Sequence, residues 1–164
     1  EQVAAFRVGL GVFLDSTLLG MLRTCCTVAD VELLLCGAAT INVDDWRTST
    51  QYRPSEYSRS NQVRWFWAMV GEMTAEEQSK LLSFCTGSIR PPATGFDSLM
   101  GYDGMHHPFT IAQVDGGDTG RLPTAHACFN MLDLPEYTTE PELRAKIGLV
   151  LMEAHGFHEG AVAT

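Results

Sequence analysis

The residues of this sequence best suited to chemistry lie in one run, residues 122–137, where a histidine and a cysteine are two positions apart. His126 precedes Cys128, and Pro135 follows in what reads as a turn. A thiol beside a group that handles protons, in an exposed turn, is typical of an activated nucleophile. If the chain stays extended through Cys128, side chains two apart share one face, and the imidazole points the same way as the thiol. We therefore predict Cys128 as a nucleophile and His126 as its neighbour.

The same run resembles the active-site signature of the HECT family of E3 ubiquitin ligases, in which a Leu-Pro…His-x-Cys-Phe-Asn segment carries the thioester-forming cysteine. Three further blocks are similar to other HECT segments and lie in family order: residues 37–52, 62–67 and 82–96. The resemblance runs from about Phe6 to Phe157. It implies the C-terminal part of a HECT domain, with residues 1–48 as the end of the N-lobe and residues 49–164 as the C-lobe.

The resemblance implies that the protein is an E3 ubiquitin-protein transferase. Cys128 would accept ubiquitin from a charged E2 enzyme as a thioester and pass it to a lysine of a protein substrate. A thiolate suits both steps, because it attacks a thioester well and forms another thioester that stays activated toward amines. The resemblance also implies that this piece alone is inactive with an E2, because the E2-binding part of the N-lobe precedes it in the family.

Two roles stay open for each polar neighbour of the cysteine. His126 either polarises or orients the cysteine or its thioester, or it bonds to nearby backbone and holds the loop. Asp133 is the nearest acidic residue after Cys128. A carboxylate close to the thioester would serve as a base for the incoming lysine amine. The simpler interpretation of Asp133 is a turn or surface carboxylate.

The resemblance also implies contacts with ubiquitin or between the lobes for three residues, Arg90, Phe129 and Phe157. Arg90 matches a family arginine near the active site, and a solvated surface arginine is the alternative. Phe157 resembles the aromatic of the family's C-terminal tail, and a hydrophobic residue at a helix end is its alternative.

One departure from the family pattern concerns the residue before the cysteine, which is Ala127 in place of the usual threonine. A hydroxyl that could donate to the thioester oxygen is missing, and loss of one such donor costs on the order of 100-fold in rate. A catalytically weakened ubiquitin-binding lobe is therefore the first alternative function. A cysteine hydrolase of ubiquitin conjugates is the second, and we disfavour it because the sequence reveals no Asp or Asn partner for the histidine.

Composition limits the partners. The chain has 164 residues and a net charge of -9, which argues against nucleic acid because phosphate contacts need clustered Lys and Arg. No run reads as a membrane span, since Asp15 interrupts the best candidate. The chain begins at Glu1 without methionine, and we interpret it as a piece of a longer protein whose N-terminus says nothing about targeting.

The cysteines indicate a reducing compartment, because their number is odd, five, and no Cys-x-x-Cys is present. We expect the cytoplasm, with the nucleus as the alternative. Cys36 and Cys85 lie in apolar helical patterns and are predicted as inert core thiols. His106 and His107 are adjacent and lack a third ligand at useful spacing, so we predict no metal and no cofactor.

The elements that must position Cys128 are predicted from caps, periodicity and breaks. We expect one helix from a Thr27 cap to Cys36 and a second from Ser58 or Ser60 through Met73. A third begins at a Thr74 capping box and ends near Gly87, and a fourth begins at a Thr139 capping box and ends at Gly156. The expected strands are residues 109–114, 122–126 and 130–134. Residues 38–54 are expected to be an irregular connector.

This pattern predicts an α+β fold, a small lobe of helices on a short sheet that follows a helical remnant.

Overall fold

A four-stranded sheet lies in the second part of the chain in the computed structural model, which describes residues 2–114 and 120–159, with side chains described up to residue 153. Its strands are β1 (Gln51–Arg53), β2 (Thr110–Val114), β3 (Thr124–His126) and β4 (Met131–Pro135). They lie in the order β1-β2-β4-β3. β2 is parallel to β1 and to β4, whereas β3 is antiparallel to β4. β3 is therefore an edge strand of this sheet, and β4 is paired on both sides.

The helices fall into two groups along the chain. The first comprises α1 (Gln2–Phe13), α2 (Ser16–Cys25) and α3 (Val28–Cys36). The second comprises α4 (Val43–Thr48), α5 (Asn61–Glu72), α6 (Ala75–Thr86) and α7 (Glu140–Glu159). Helices α5 and α6 both contact α7, and α6 also contacts β3, β4 and the turn that joins them. The predicted α+β class is confirmed.

The chain folds as two compact units, Glu1–Cys36 and Gly37–Thr164. The first unit buries none of its described side chains, and Phe6 and Leu35 are 68% and 81% exposed. The prediction that Cys36 is a core thiol is wrong, because its helix packs into no closed core within this unit. The predicted lobe boundary between residues 48 and 49 stays a prediction.

No single described helix is both long and apolar enough to cross a membrane. Helices α1 and α2 together meet that requirement by length and composition, but they are bent by 95° at the break between them.

Local hydrogen bonds explain most helix starts that the sequence predicts. The Ser60 hydroxyl accepts the Val63 N–H and begins α5. Thr74 and Glu77 form the predicted reciprocal capping box of α6. Gly87 ends α6 in the left-handed conformation with φ 77°, which glycine adopts without steric cost. Helix α7 begins as predicted but runs past Gly156 to Glu159, so the predicted stop is wrong.

The prediction of an irregular connector over residues 38–54 is also wrong. The Asn42 side-chain oxygen accepts the N–H groups of Asp44 and Asp45 at 3.0 and 3.1 Å and starts α4. Strand β1 then pairs with β2 before the break at Pro54. The two aspartates that suggested a loop stabilise the first turn of a helix instead, because negative charge is favourable at a helix N-terminus.

An aromatic cluster centred on Trp46 joins α4 to the rest of the core. The Trp46 ring is fully buried and stacks on Phe96 at a centroid distance of 5.0 Å. Trp67 and Phe109 contact it edge-to-face at 5.9 and 5.3 Å. The Trp46 Nε1–H has no hydrogen-bond partner among the described residues. The cluster anchors the start of β2 through Phe109, and β2 supports β4 beside the cysteine turn.

We predict that Trp46→Ala lowers the free energy of unfolding by about 3–5 kcal/mol, because it opens a large cavity in this cluster. Trp46→Phe should cost less than about 2 kcal/mol, since it keeps a stacked ring and removes a buried unpaired N–H. Urea unfolding followed by circular dichroism measures both variants. Equal destabilisation by the two substitutions would contradict this account.

Candidate functional site

Cys128 lies in a tight turn between the two antiparallel strands of the sheet. β3 ends at His126, a 3-10 turn covers Ala127–Phe129, and β4 begins at Met131. Cys128 is exposed. The expectation that the chain stays extended through the cysteine is wrong, because the turn begins directly after His126. The argument that His126 and Cys128 share one strand face therefore does not hold.

His126 pairs instead with Asp133 across the two strands. Its Nε2 lies 3.0 Å from Asp133 Oδ2. In the register of β3 on β4, His126 is opposite Met131 and Asp133 is opposite Thr124. His126 and Asp133 are therefore diagonal neighbours on one face of the sheet. The side chains are 48% and 22% exposed. An acidic partner for the histidine is thus present, contrary to the sequence-based argument against a hydrolase.

Asn130 holds the cysteine turn in place, and the sequence analysis missed it. The residue is 1% exposed and left-handed, with φ 51° and ψ 42°. Its Nδ2 donates to the carbonyls of Met100 and His107 at 3.1 and 2.8 Å. Asparagine tolerates this backbone conformation better than other non-glycine residues. An asparagine between a turn and a strand is the signal that could have indicated it.

The support on the other side of the turn is a loop over residues 99–107, closed like a hairpin. Met100 and His106 form an antiparallel bridge. The Gly101 N–H donates to the Met105 carbonyl at 2.8 Å. The Tyr102 N–H donates to the Cys128 carbonyl at 3.0 Å, so this loop binds the backbone of the cysteine itself.

Gly101 is required where the loop meets the cysteine turn. A Cβ at this position would lie 2.8 Å from the Cys128 carbonyl oxygen and 2.3 Å from His107 Cδ2. Both distances are shorter than real Cβ contacts, so any larger residue would push the loop and the turn apart.

A cleft of about 320 Å³ opens beside the thiol. Its lining residues come from the end of α6, the supporting loop and the turn: Thr86, Met100, Gly101, Tyr102, Ala127 and Cys128. Ala127 is exposed, so a larger side chain at this position meets solvent rather than core. The cleft leaves the sulfur open to a molecule approaching from solvent.

The three residues predicted to contact ubiquitin or the other lobe lie in three different segments of the chain. Phe129 is 54% exposed and packs edge-to-face on the His107 ring at 5.5 Å. Arg90 lies in the turn after α6, where the Ser88 hydroxyl donates to its carbonyl at 2.8 Å. The Phe157 backbone is within α7, but its side chain lies outside the described ones. The roles predicted for these three residues stay predictions.

The buried thiol differs sharply from the one in the turn. Cys85 is fully buried in α6, as predicted, and burial raises the pKa of its thiol far above the usual range. A thiol that stays protonated is a poor nucleophile. The described residues contain no group of three or more His, Cys, Asp or Glu that could hold a metal ion.

Comparison with known proteins identifies a family for nearly the whole chain. The sequence model of the family described as HECT-domain (ubiquitin-transferase) matches residues 1–159. The chain is 38% identical over 158 residues to E3 ubiquitin-protein ligase pub1 of Schizosaccharomyces pombe, covering 96% of this chain and 19% of that protein.

Two further relatives are also named E3 ubiquitin-protein ligases. The chain is 40% identical to E3 ubiquitin-protein ligase RSP5 of Chaetomium thermophilum, over 96% of this chain and 18% of that protein. It is 38% identical to E3 ubiquitin-protein ligase NEDD4 of Homo sapiens, over 96% of this chain and 11% of that protein. The chain thus spans a fifth or less of the length of these relatives.

The position of Asn130 leads to a prediction on stability. We expect Asn130→Gly to lower the free energy of unfolding by about 1–3 kcal/mol, because two carbonyls of the supporting loop lose their buried donor while the backbone conformation is kept. Asn130→Ala should cost at least about 1 kcal/mol more, because alanine is strained in the left-handed region. Urea unfolding measures both, and equal values for the two variants would show that backbone strain has no part in holding the turn.

Proposed function

Because this chain belongs to the HECT-domain (ubiquitin-transferase) family, we propose that Cys128 receives ubiquitin from a charged E2 enzyme as a thioester and passes it to a lysine of a protein substrate. The observation that carries this proposal is an exposed cysteine, in a turn beside a cleft, next to a histidine–carboxylate pair. Since the chain is a small part of its relatives, ubiquitin, the E2 and the substrate are partners that we propose for the whole protein.

The first step exchanges one thioester for another. The Cys128 thiolate attacks the carbonyl carbon of the E2-bound ubiquitin, the carbon–sulfur bond to the E2 breaks, and the E2 cysteine leaves as a thiolate. Reactant and product have similar energies because both are thioesters. The open side of the turn supports this step, because a protein-sized donor must bring its own thioester up to the sulfur.

The second step transfers the acyl group to an amine. The substrate lysine attacks the thioester carbonyl, an isopeptide bond forms, and Cys128 leaves as a thiolate. The attacking amine must lose a proton, and a carboxylate or imidazole near the thioester can accept it. We assign that role to the His126–Asp133 pair, which lies at the entrance to the turn and is reachable by solvent.

Three residues are proposed as contacts rather than as participants in bond making. The exposed ring of Phe129, directly after the nucleophile, offers an apolar surface to bound ubiquitin. Arg90 and Phe157 are proposed to contact ubiquitin or the other lobe during transfer. We place the reaction in the cytoplasm, with the nucleus as the alternative, because the thiol must stay reduced.

Ala127 supports one alternative, a lobe that binds ubiquitin and transfers it weakly or not at all. The residue lines the cleft and carries no hydroxyl. The His126–Asp133 pair supports the other alternative, a cysteine hydrolase, because such enzymes orient their histidine with an acidic partner. A hydrolase would release free ubiquitin from conjugates, whereas a transferase forms a reducible ubiquitin adduct.

We predict that the full parent protein, incubated with charged E2, forms a ubiquitin adduct that a thiol reductant removes. Cys128→Ala should abolish this adduct and lower substrate labelling by about 1,000-fold or more, because no other group replaces the nucleophile. Cys36→Ser is the matched control, since it removes an exposed thiol from the other unit and should leave the adduct intact. Non-reducing electrophoresis measures the adduct. An adduct that persists in Cys128→Ala would refute the proposal.

We further predict that Ala127→Thr accelerates discharge of ubiquitin to lysine by about tenfold, because it adds a donor next to the thioester oxygen. Ala93→Thr, at an exposed alanine in the loop after α6, is the control and should leave the rate unchanged. Single-turnover discharge in the parent protein measures both. An unchanged rate in Ala127→Thr would mean that a hydroxyl at this position gives no oxyanion contact.

A further inference from the structure

A second histidine–carboxylate pair lies in the loop that supports the cysteine turn. His107 Nε2 is 3.1 Å from both side-chain oxygens of Asp103. The Met105 N–H donates to Asp103 Oδ1 at 2.9 Å. This backbone bond, and after it the His107 ring, hold the pKa of Asp103 below its usual range. Asp103 is therefore ionised at neutral pH and accepts hydrogen bonds from the loop and from the imidazole.

The His107 ring contacts the cysteine turn. It packs edge-to-face on Phe129, with ring planes 69° apart, so it is in contact with the residue after Cys128. Its Cδ2 also lies close to Gly101, at the same point where the Cys128 carbonyl oxygen approaches. The ring thus fills the space between the supporting loop and the turn, and only glycine at position 101 leaves room for this packing.

The His107 backbone is fixed independently of its ring. Its N–H donates to the Leu99 carbonyl at 3.0 Å, and its carbonyl accepts from Asn130. The backbone bonds set where the residue lies, and the bond to Asp103 sets how the imidazole is turned. The ring is 28% exposed and the Asp103 side chain is 51% exposed, so neither is a core residue whose loss would unfold the lobe.

We propose that His107 is a positioning residue for Cys128, held in place by Asp103. The ring contacts the turn through Phe129, Asn130 ties the turn to two carbonyls of the supporting loop, and together these contacts fix the direction of the thiol. This inference deepens the proposed function and rests on it for its effect on transfer. A displacement of about 1 Å at a reacting atom is enough to cost on the order of 100-fold in rate, so a restraint of this kind has a measurable kinetic effect.

Hydrogen exchange tests the restraint without ubiquitin. In this 164-residue chain, His107→Ala and Asp103→Ala should each raise exchange of the Tyr102 amide, which donates to the Cys128 carbonyl, by about tenfold. Asp103→Asn keeps an acceptor oxygen for the imidazole and should remain within about twofold of the parent. His106→Ala is the matched control, because this neighbouring histidine bonds to the Asp97 carbonyl instead.

Transfer kinetics test the consequence in the full parent protein. His107→Ala should lower the maximal rate of thioester formation from charged E2 by about tenfold and leave the half-saturating E2 concentration unchanged, because E2 binding is expected from the N-lobe rather than from this turn. His107→Ala combined with Asp103→Ala should be no slower than either single variant, since both remove one restraint. Asp103→Asn should restore most of the rate, which a merely destabilising role would not predict.

The outcomes separate the two proposals. Unchanged Tyr102 exchange in His107→Ala, or the same rate loss in His106→Ala, would overturn the positioning role. Faster exchange with a normal maximal rate would overturn it too. If exchange rises as expected but the unaltered parent forms no thioester, the proposed function fails while the restraint on the turn stands.

Discussion

The left-handed backbone at Asn130 is the constraint on which the site depends. It reverses the chain between the 3-10 turn and β4, so Cys128 faces outward while the next strand enters the sheet. The amide of Asn130 then binds two carbonyls of the supporting loop, and the loop returns one N–H to the Cys128 carbonyl. The thiol is exposed but the backbone of its turn is held by the supporting loop, so the side chain is accessible while its position is constrained.

The packing beneath the turn keeps this arrangement rigid. Trp46 anchors Phe109, the residue before β2, and β2 pairs along its whole length with β4. Helix α6 contacts both β3 and the turn, so the strand that carries His126 is covered from one side. Cys128 is therefore attached to a buried core of sheet and helix, even though it is itself solvent-exposed.

Sequence reasoning succeeded where the determinants are local. Ser60 and Thr74 start helices through bonds to residues three positions away, and such pairs can be read directly from the chain. Cys128 was singled out in the same way, because it lies in a short run with a recognisable composition, and its role as a nucleophile stays a prediction. Helix α4 was missed because Asp44 and Asp45 suit a loop as well as a first helical turn, and neither the Asn42 cap nor the burial of Trp46 was anticipated.

The remaining parts of the site depend on contacts between distant segments. The bond between His126 and Asp133 requires the register of β3 on β4, which single-sequence patterns do not determine. The contacts of Asn130 join segments about 23 to 30 residues apart in the chain. Cys36 shows the opposite error, since an apolar helical pattern predicts a buried face only where something packs against it.

The position of β3 at the sheet margin gives the two members of the His126–Asp133 pair unequal freedom. Asp133 belongs to a strand with a ladder on each flank, whereas His126 ends a three-residue strand with a ladder on one flank alone. Transient fraying at such a margin needs few bonds to break. We therefore expect the His126 imidazole to be displaced from the pair more readily than the Asp133 carboxylate, which its strand holds from both flanks.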